Sequence, residues 1–264
     1  MKVFISADIE GVTNVTNWDE CKLYHEAHAA SKKQMTREVA AACRGAISAG
    51  ATEIVVKDGH GSARNIIAED LPEEATLIRG WSNSPETMMF GLDESFDAVI
   101  YIGYHSGANY DGNPLAHTMN KDNNYVRING MDMSEFDLNT LLAAQYGVPA
   151  VFLSGDKNLC NHAKDLVPSI ETVAVKDAKG NATINMNGGR ACALIESGVK
   201  AALKNMDACR IEEPETYNVE ICYKEPVRAY RASFYPGVEQ IDARTVRYTA
   251  ENAFEMMRTR MFIL

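Results

Sequence analysis

Apolar residues in the first half of the chain fall into short continuous runs that stop abruptly at acids, glycines and histidines. Residues 2–8 alternate and carry enough β-branched and aromatic side chains to predict a strand that ends at Asp8. Ile54-Val55-Val56 forms the centre of a second run over 53–57, of the kind buried in a parallel sheet, and Asp58-Gly59-His60-Gly61 turns sharply after it. Residues 76–78 predict a third strand. Residues 97–103 predict a fourth, ending in Tyr104-His105. Between the first two strands, Met35, Val39, Ala42, Cys43 and Ala46 recur at helical spacing within 31–49, and Gly50 closes the run. A short helix is expected over 63–69 and a hairpin over 114–120 and 124–130, turning at Lys121-Asp122-Asn123. A helix over 134–146 and a strand over 149–153 follow.

This alternation predicts an α/β fold with a mainly parallel sheet in a three-layer core. Gly188-Gly189 opens a further helix through 204. The texture then changes at the charged break Glu212-Glu213-Pro214-Glu215. Strands are expected over 216–223 and 227–234, and a last helix over 250–262. The expected organisation is a core over 1–206 that includes the 114–130 hairpin, and a smaller α+β region over 207–264. No internal repeat or low-complexity tract interrupts it.

Charge narrows the function. Lys plus Arg is 26 against 36 Asp plus Glu, a net charge of −10. A nucleic-acid partner needs a basic face and is not expected. The first apolar run ends at Asp8, too early for a secretory signal, and no stretch approaches the ~18 apolar residues of a membrane helix. A membrane partner is therefore not expected either. The six cysteines are scattered without a Cys-x-x-Cys pair, and Cys43 and Cys192 lie in Ala-rich helical stretches. They read as buried thiols in a reducing cytoplasm, with disulfide pairing left as the alternative because the count is even.

Ligands of parallel α/β sheets bind at the carboxyl ends of the strands. Three strands end in polar clusters: Asp8-Ile9-Glu10-Gly11, Asp58-Gly59-His60 and Gly103-Tyr104-His105. If the first strand runs on to Glu10, Asp8 and Glu10 face the same side, where two carboxylates repel unless a cation or proton lies between them. A solvated loop explains that pair alone equally well. With His60 and His105 added, the set becomes the mixed oxygen and nitrogen donors of Zn²⁺ or Mn²⁺. Asp58 could orient His60 or satisfy the turn backbone, and the turn role is preferred. His117 sits in the expected hairpin strand, where ordinary packing competes. Glu135 opens a helix, where its charge suits the dipole. Pattern alone selects neither. His25 and His28 are three apart but lack a His-Glu-x-x-His partner, so they are read as surface residues, as is His162. No phosphate-binding or dinucleotide glycine motif and no Gly-x-Ser-x-Gly elbow is present.

Ser6-Ala7-Asp8-Ile9-Glu10-Gly11 resembles the Ser-x-Asp-x-Glu-Gly signature of the DppA-like D-aminopeptidases, a zinc peptidase family. Val56-Lys57-Asp58-Gly59-His60, Gly91-Leu92-Asp93, Gly103-Tyr104-His105 and Ser134-Glu135-Phe136 with Leu138-Asn139 resemble further blocks of that family in the same order. The likeness is specific over the first two-thirds of the chain and weak beyond about Asp207. It implies two zinc ions per subunit, with Asp8 as the bridging ligand and Glu10, His60, His105 and Glu135 completing the two spheres. It places His117 at the family's catalytic position. It also implies a homodecamer of two stacked five-membered rings enclosing the active sites. Two metals would activate a shared water against the peptide carbonyl, leaving His117 to protonate the leaving amine or steady the oxyanion. The expected activity is aminopeptidase action on short peptides with D-residues such as D-Ala. The alternatives are hydrolysis of other small amides or esters, and a non-catalytic peptide-binding assembly protein.

Overall fold

The computed structural model describes the whole chain, Met1–Leu264. Four strands lead: β1 (Lys2–Ala7), β2 (Glu53–Asp58), β3 (Ala75–Ile78) and β4 (Ala98–Tyr104), with α1 (His28–Ser48) between β1 and β2. Next come β5 (Asn123–Ile128), β6 (Met131–Asp132), α2 (Glu135–Gln145), β7 (Ala150–Asp156) and α3 (Lys157–Leu166). Then follow β8 (Glu171–Lys179), β9 (Ala182–Asn185) and α4 (Gly188–Ala202). The chain finishes with β10 (Tyr217–Tyr223), α5 (Pro226–Ala232), β11 (Glu239–Gln240), β12 (Thr245–Ala250) and α6 (Ala253–Ile263).

The main sheet has the order β3-β2-β1-β4-β7-β8-β9 and is parallel except where β9 pairs antiparallel with β8. Every residue of β4 and β7 is buried, as expected where helices cover both faces. α1 packs against β1, β4 and α4, while α2 packs against β4, α3 and α6. The crossover through α1 leads from β1 out to β2, and the one through α2 leads the opposite way, from β4 to β7. Right-handed connections then put α1 and α2 on opposite faces, giving three layers. The order reverses between β1 and β4, the topological switch point where such sheets open a crevice.

The second sheet is antiparallel, in the order β11-β12-β10-β5-β6. It draws strands from both sides of residue 207. One continuous core joins Phe4, Ile100 and Phe152 of the main sheet to Val126, Tyr217 and Val246 of the smaller one and to Met256 of α6.

Several local expectations are corrected. The hairpin is β5–β6, not 114–130; residues 114–120 carry only a single bridge between Thr118 and Asn120, and Met119 takes a left-handed φ of 67°. His117 is therefore on a loop. Residues 227–234, expected as a strand, lie mostly in α5, which Pro226 starts from the first helical position, where its missing N–H is harmless. The expected helix over 63–69 is a turn followed by a 3₁₀ segment, Ala68–Asp70. β8, β9 and β12 were not anticipated. All six cysteines are free thiols, five of them buried. No helix is long and apolar enough to cross a membrane.

Candidate metal centre

The switch point is tight because two glycines let the strand ends touch. Gly11 N–H donates to the Gly103 carbonyl at 2.8 Å. A Cβ at Gly11 would overlap the Tyr104 carbonyl, and one at Gly103, whose φ is +71°, would overlap the carbonyl of Asp8. Only residues without a side chain permit this approach, and it brings the tail of β1 against the tail of β4.

Five of the six singled-out side chains meet there buried, and His117 joins them half-buried from the loop between β4 and β5. Asp8 stands between two imidazoles: its Oδ1 is 3.2 Å from His60 Nδ1 and its Oδ2 is 3.5 Å from His105 Nε2. Glu10 Oε2 lies 2.9 Å from His60 Nδ1. Glu135 Oε1 lies 3.8 Å from His105 Nε2 and 3.6 Å from His117 Nε2, and accepts the Met119 N–H at 2.7 Å. The rings of His105 and His117 stack at 4.4 Å.

Each histidine is fixed through its other nitrogen. His60 Nε2–H donates to the Cys21 carbonyl, His105 Nδ1–H to that of Ser106, and His117 Nδ1–H to that of Leu115, all at 2.9 Å. A carbonyl only accepts, so the carboxylate-facing nitrogen of each neutral ring is left with its lone pair, the tautomer a metal ligand needs. Glu10 Oε2 and His105 Nε2 are buried without a hydrogen-bond partner. His60 Nδ1 is aligned on Asp8 Oδ1 at 3.2 Å but not on Glu10 Oε2, although Glu10 is nearer. Two such buried atoms left without partners among close donors are what a shared cation would organise. The donors form three overlapping groups, each within 4.8 Å: Asp8, His105 and Glu135; Glu10, His105 and His117; Glu10, Cys21 and His60. Imidazole nitrogens and carboxylate oxygens in this number fit Zn²⁺.

The electrostatics carry the same signature. Burial would raise the Asp8 carboxyl, but His105 and His60 hold it well below the usual range. Burial opposes charge on His60 and His105, yet the surrounding carboxylates raise His60 well above its ordinary value and His105 to about 10. Glu135 is pushed up by burial to about 7. His117 is pushed down to about 4 by burial and by the charge of His105. The cluster thus attracts positive charge, and a metal taking the same lone pairs would release protons.

A supporting shell holds these groups. Asp58 accepts from Asn65 N, Ile66 N and Asn65 Nδ2, and Asn65 Nδ2 also donates to the His60 carbonyl, so Asp58 shapes the turn and does not touch the ring. Asp156 accepts from Ser106 N and Oγ and from Asn113 Nδ2, while Asn113 Nδ2 donates to the Glu10 carbonyl. Ser134 and Asp137 cap α2 and so set the position of Glu135. Two histidines read as surface residues are otherwise: His28 is buried with Nδ1 on the Glu20 carbonyl, and half-buried His162 bonds Asp137 at 3.1 Å. His25 is exposed. Cys21 and Trp18 were missed, since an isolated cysteine and tryptophan before a helix carry no spacing signal. Both belong to a 3₁₀ turn, Trp18–Cys21, closed by Asn17 and Glu20. Burial, with Glu10 and Asp8 adding to it, pushes the Cys21 thiol far up, so it stays protonated.

A cavity of about 600 Å³ opens over the cluster, walled by Trp18, Trp81, Met88, Met119 and Met261.

The D-aminopeptidase family model matches residues 1–262 of the chain. The D-aminopeptidase of Bacillus subtilis (strain 168) is 29% identical over 261 residues, which cover 97% of this chain and 93% of that protein. The solved structure described as a Zn-dependent D-aminopeptidase, DppA from Bacillus subtilis, a self-compartmentalizing protease, matches with a TM-score of 0.94 at 27% identity. The match covers 100% of this chain and 96% of that one.

Proposed function

The chain belongs to the D-aminopeptidase family, and on that premise we propose that it is a zinc-dependent aminopeptidase holding two zinc ions. Its substrates are short peptides with D-residues such as D-Ala. The observation that carries the two-ion reading is Asp8, which presents one carboxylate oxygen to His60 and the other to His105. Glu10 and His60 would hold one ion with Asp8, and His105 and Glu135 the other. Bound there, zinc would supply Lewis acidity, making a water more acidic and polarising the scissile carbonyl.

The chain's own groups do the rest. The backbone carbonyls of Cys21 and Ser106 orient two imidazoles before substrate arrives. His117, with Nδ1–H on the Leu115 carbonyl, keeps Nε2 open toward the cavity. There Nε2 takes up the proton that the attacking water loses, and then passes it to the leaving amine or, while holding it, donates to the tetrahedral oxyanion. Met88, Met119, Met261 and Trp81 offer an apolar wall to a substrate side chain.

Assembly belongs to the same reading. Val227, Tyr230, Phe234 and Phe262 are each at least 60% exposed around α5 and α6. Such a patch supports a subunit contact, and the solved relative is described as self-compartmentalizing. The proposed state is a decamer of two stacked pentamers in the cytoplasm, a setting that suits six unpaired thiols.

Elemental analysis should find about two zinc ions per chain, and chelation should abolish turnover that added zinc restores. D-Ala-D-Ala should be cleaved faster than L-Ala-L-Ala. Metal-free protein whose turnover ignores chelators would refute the zinc chemistry, and an L preference would refute the substrate class.

A further inference from the structure

One charged residue at the cavity is not used by the chemistry above. Lys121 is the only residue with an ammonium or guanidinium group among those lining the cavity, and it makes no ion pair. Its neighbour Asp122 is engaged by Arg228 at 3.0 Å. Lys121 Nζ sits 4.5 Å from the centroid of the Trp18 ring, a cation–π contact. Trp18 in turn packs edge-on against His117 at 5.3 Å.

The placement is built on both sides. Trp18 begins the capped turn whose last residue, Cys21, fixes His60, so one short segment sets both a metal-donor ring and the platform for Lys121. The turn carrying Lys121 is tied by Asn123 Nδ2 to the carbonyls of Thr118 and Asn120, and by Asn120 Nδ2 to the carbonyl of Leu264 at 2.8 Å. An exposed ammonium presented this way, on the wall of the cavity that also holds the proposed zinc site, matches the free carboxylate of a bound peptide.

We propose that Lys121, seated on Trp18, binds the C-terminal carboxylate of the substrate and restricts the enzyme to di- and tripeptides with a free C-terminus. The proposal rests on the aminopeptidase reading. Length follows from geometry. Contacts of 4.5 and 5.3 Å separate the ammonium from the His117 ring, and an extended residue advances roughly 3.3–3.6 Å. With about 2.8 Å of that span taken by the ammonium–carboxylate contact, about one to two residues fit between the reacting carbonyl of the N-terminal residue and the ammonium, the length of a di- or tripeptide.

The test compares D-alanyl-D-alanine with its C-terminal amide on the zinc-loaded wild type, Lys121→Met and Lys121→Arg, with kcat and KM resolved separately. Losing a charge-assisted contact costs roughly 10- to 100-fold. The wild type should favour the acid over the amide by that factor, chiefly in KM. K121M should bring the acid-to-amide ratio to about one, and K121R should restore a preference for the acid. Equal handling of the two peptides by the wild type, or an unchanged ratio in K121M, would overturn the proposal. If neither peptide is turned over, the aminopeptidase reading fails separately, and calorimetric titration of the same two peptides still decides the contact. Tighter binding of the acid by wild type alone supports it, and equal binding by both proteins refutes it.

Discussion

The carboxyl edge of the parallel sheet and the outer side of the α5–α6 region depart from the usual partition of side chains in opposite senses. At the edge, Asp8, Glu10, Glu135, His60 and His105 are all buried. Around α5 and α6, Val227, Tyr230, Phe234 and Phe262 stand in water. Buried charge is costly unless it is paired, and exposed apolar area is costly unless it is covered. The first region therefore calls for a cation that fits between fixed donors, and the second for another surface of the same chemistry. The difference lies in tolerance. The edge depends on single atoms at about 3 Å, whereas the patch depends on area, which can be trimmed piecemeal.

The sharpest way to break the first region is Asp8→Asn, an isostere that cannot bridge two cations as a carboxylate does. It should lose bound zinc, read by elemental analysis, and abolish activity. His117→Ala should cut kcat by roughly 10²- to 10⁴-fold while zinc content stays near two per chain. If zinc falls in step with activity in that variant, His117 is itself a ligand, as its place beside Glu10 and His105 would then require.

A second experiment asks what a buried carboxylate does without imidazoles beside it. Glu38 of α1 is fully buried; its Oε1 accepts from Thr13 N and Gln34 Nε2, and its Oε2 has no partner. Burial pushes its carboxyl up from 4.5 to about 7. The folded protein thus keeps a proton that the unfolded chain has already lost, so stability falls as pH rises from about 4.5 to about 7. Glu38→Gln should remove this slope and stabilise the fold by up to about 3 kcal/mol above pH 7. Urea midpoints at pH 5 and pH 8 would read it. The same slope in both proteins would assign the pH dependence to other groups.

The smallest effect on the individual subunit belongs to the second region. Phe234→Glu is a surface change, expected to move subunit stability by no more than about 0.5 kcal/mol. Sedimentation should nonetheless shift from a mass near ten chains to a smaller species. An unaltered mass would mean that Phe234 lies outside the contact.

Much of this was legible in the sequence, for identifiable reasons. β1, β2, β4 and β7 are buried on both faces and read as continuous apolar runs, and the sites follow where those runs stop. Asp8, Glu10, His60 and His105 could therefore be placed at one edge. His117 and Glu135 could not be chosen by pattern, because a loop and a helix start bring them in from outside the sheet. β8 and β9 escaped notice because β9 is an edge strand of mostly exposed positions with no apolar run, and β8 carries only Val173-Ala174-Val175 in a strand that is half-exposed along most of its length. Residues 227–234 alternate like a strand, yet Pro226 starts a helix there. The resemblance faded beyond Asp207, whereas the family match runs on to residue 262.

All three site imidazoles are tethered to main-chain carbonyls, those of Cys21, Ser106 and Leu115, and to no side chain of a supporting residue. A side-chain anchor can be erased by one codon change; a peptide carbonyl is present whichever amino acid stands there. The aim of the rings is thus inherited with the path of the backbone, and positions 21, 106 and 115 can drift in identity without turning a donor nitrogen away. The centre is fragile at its donors and robust at its anchors, an asymmetry that leaves the surrounding walls free to diversify toward new substrates.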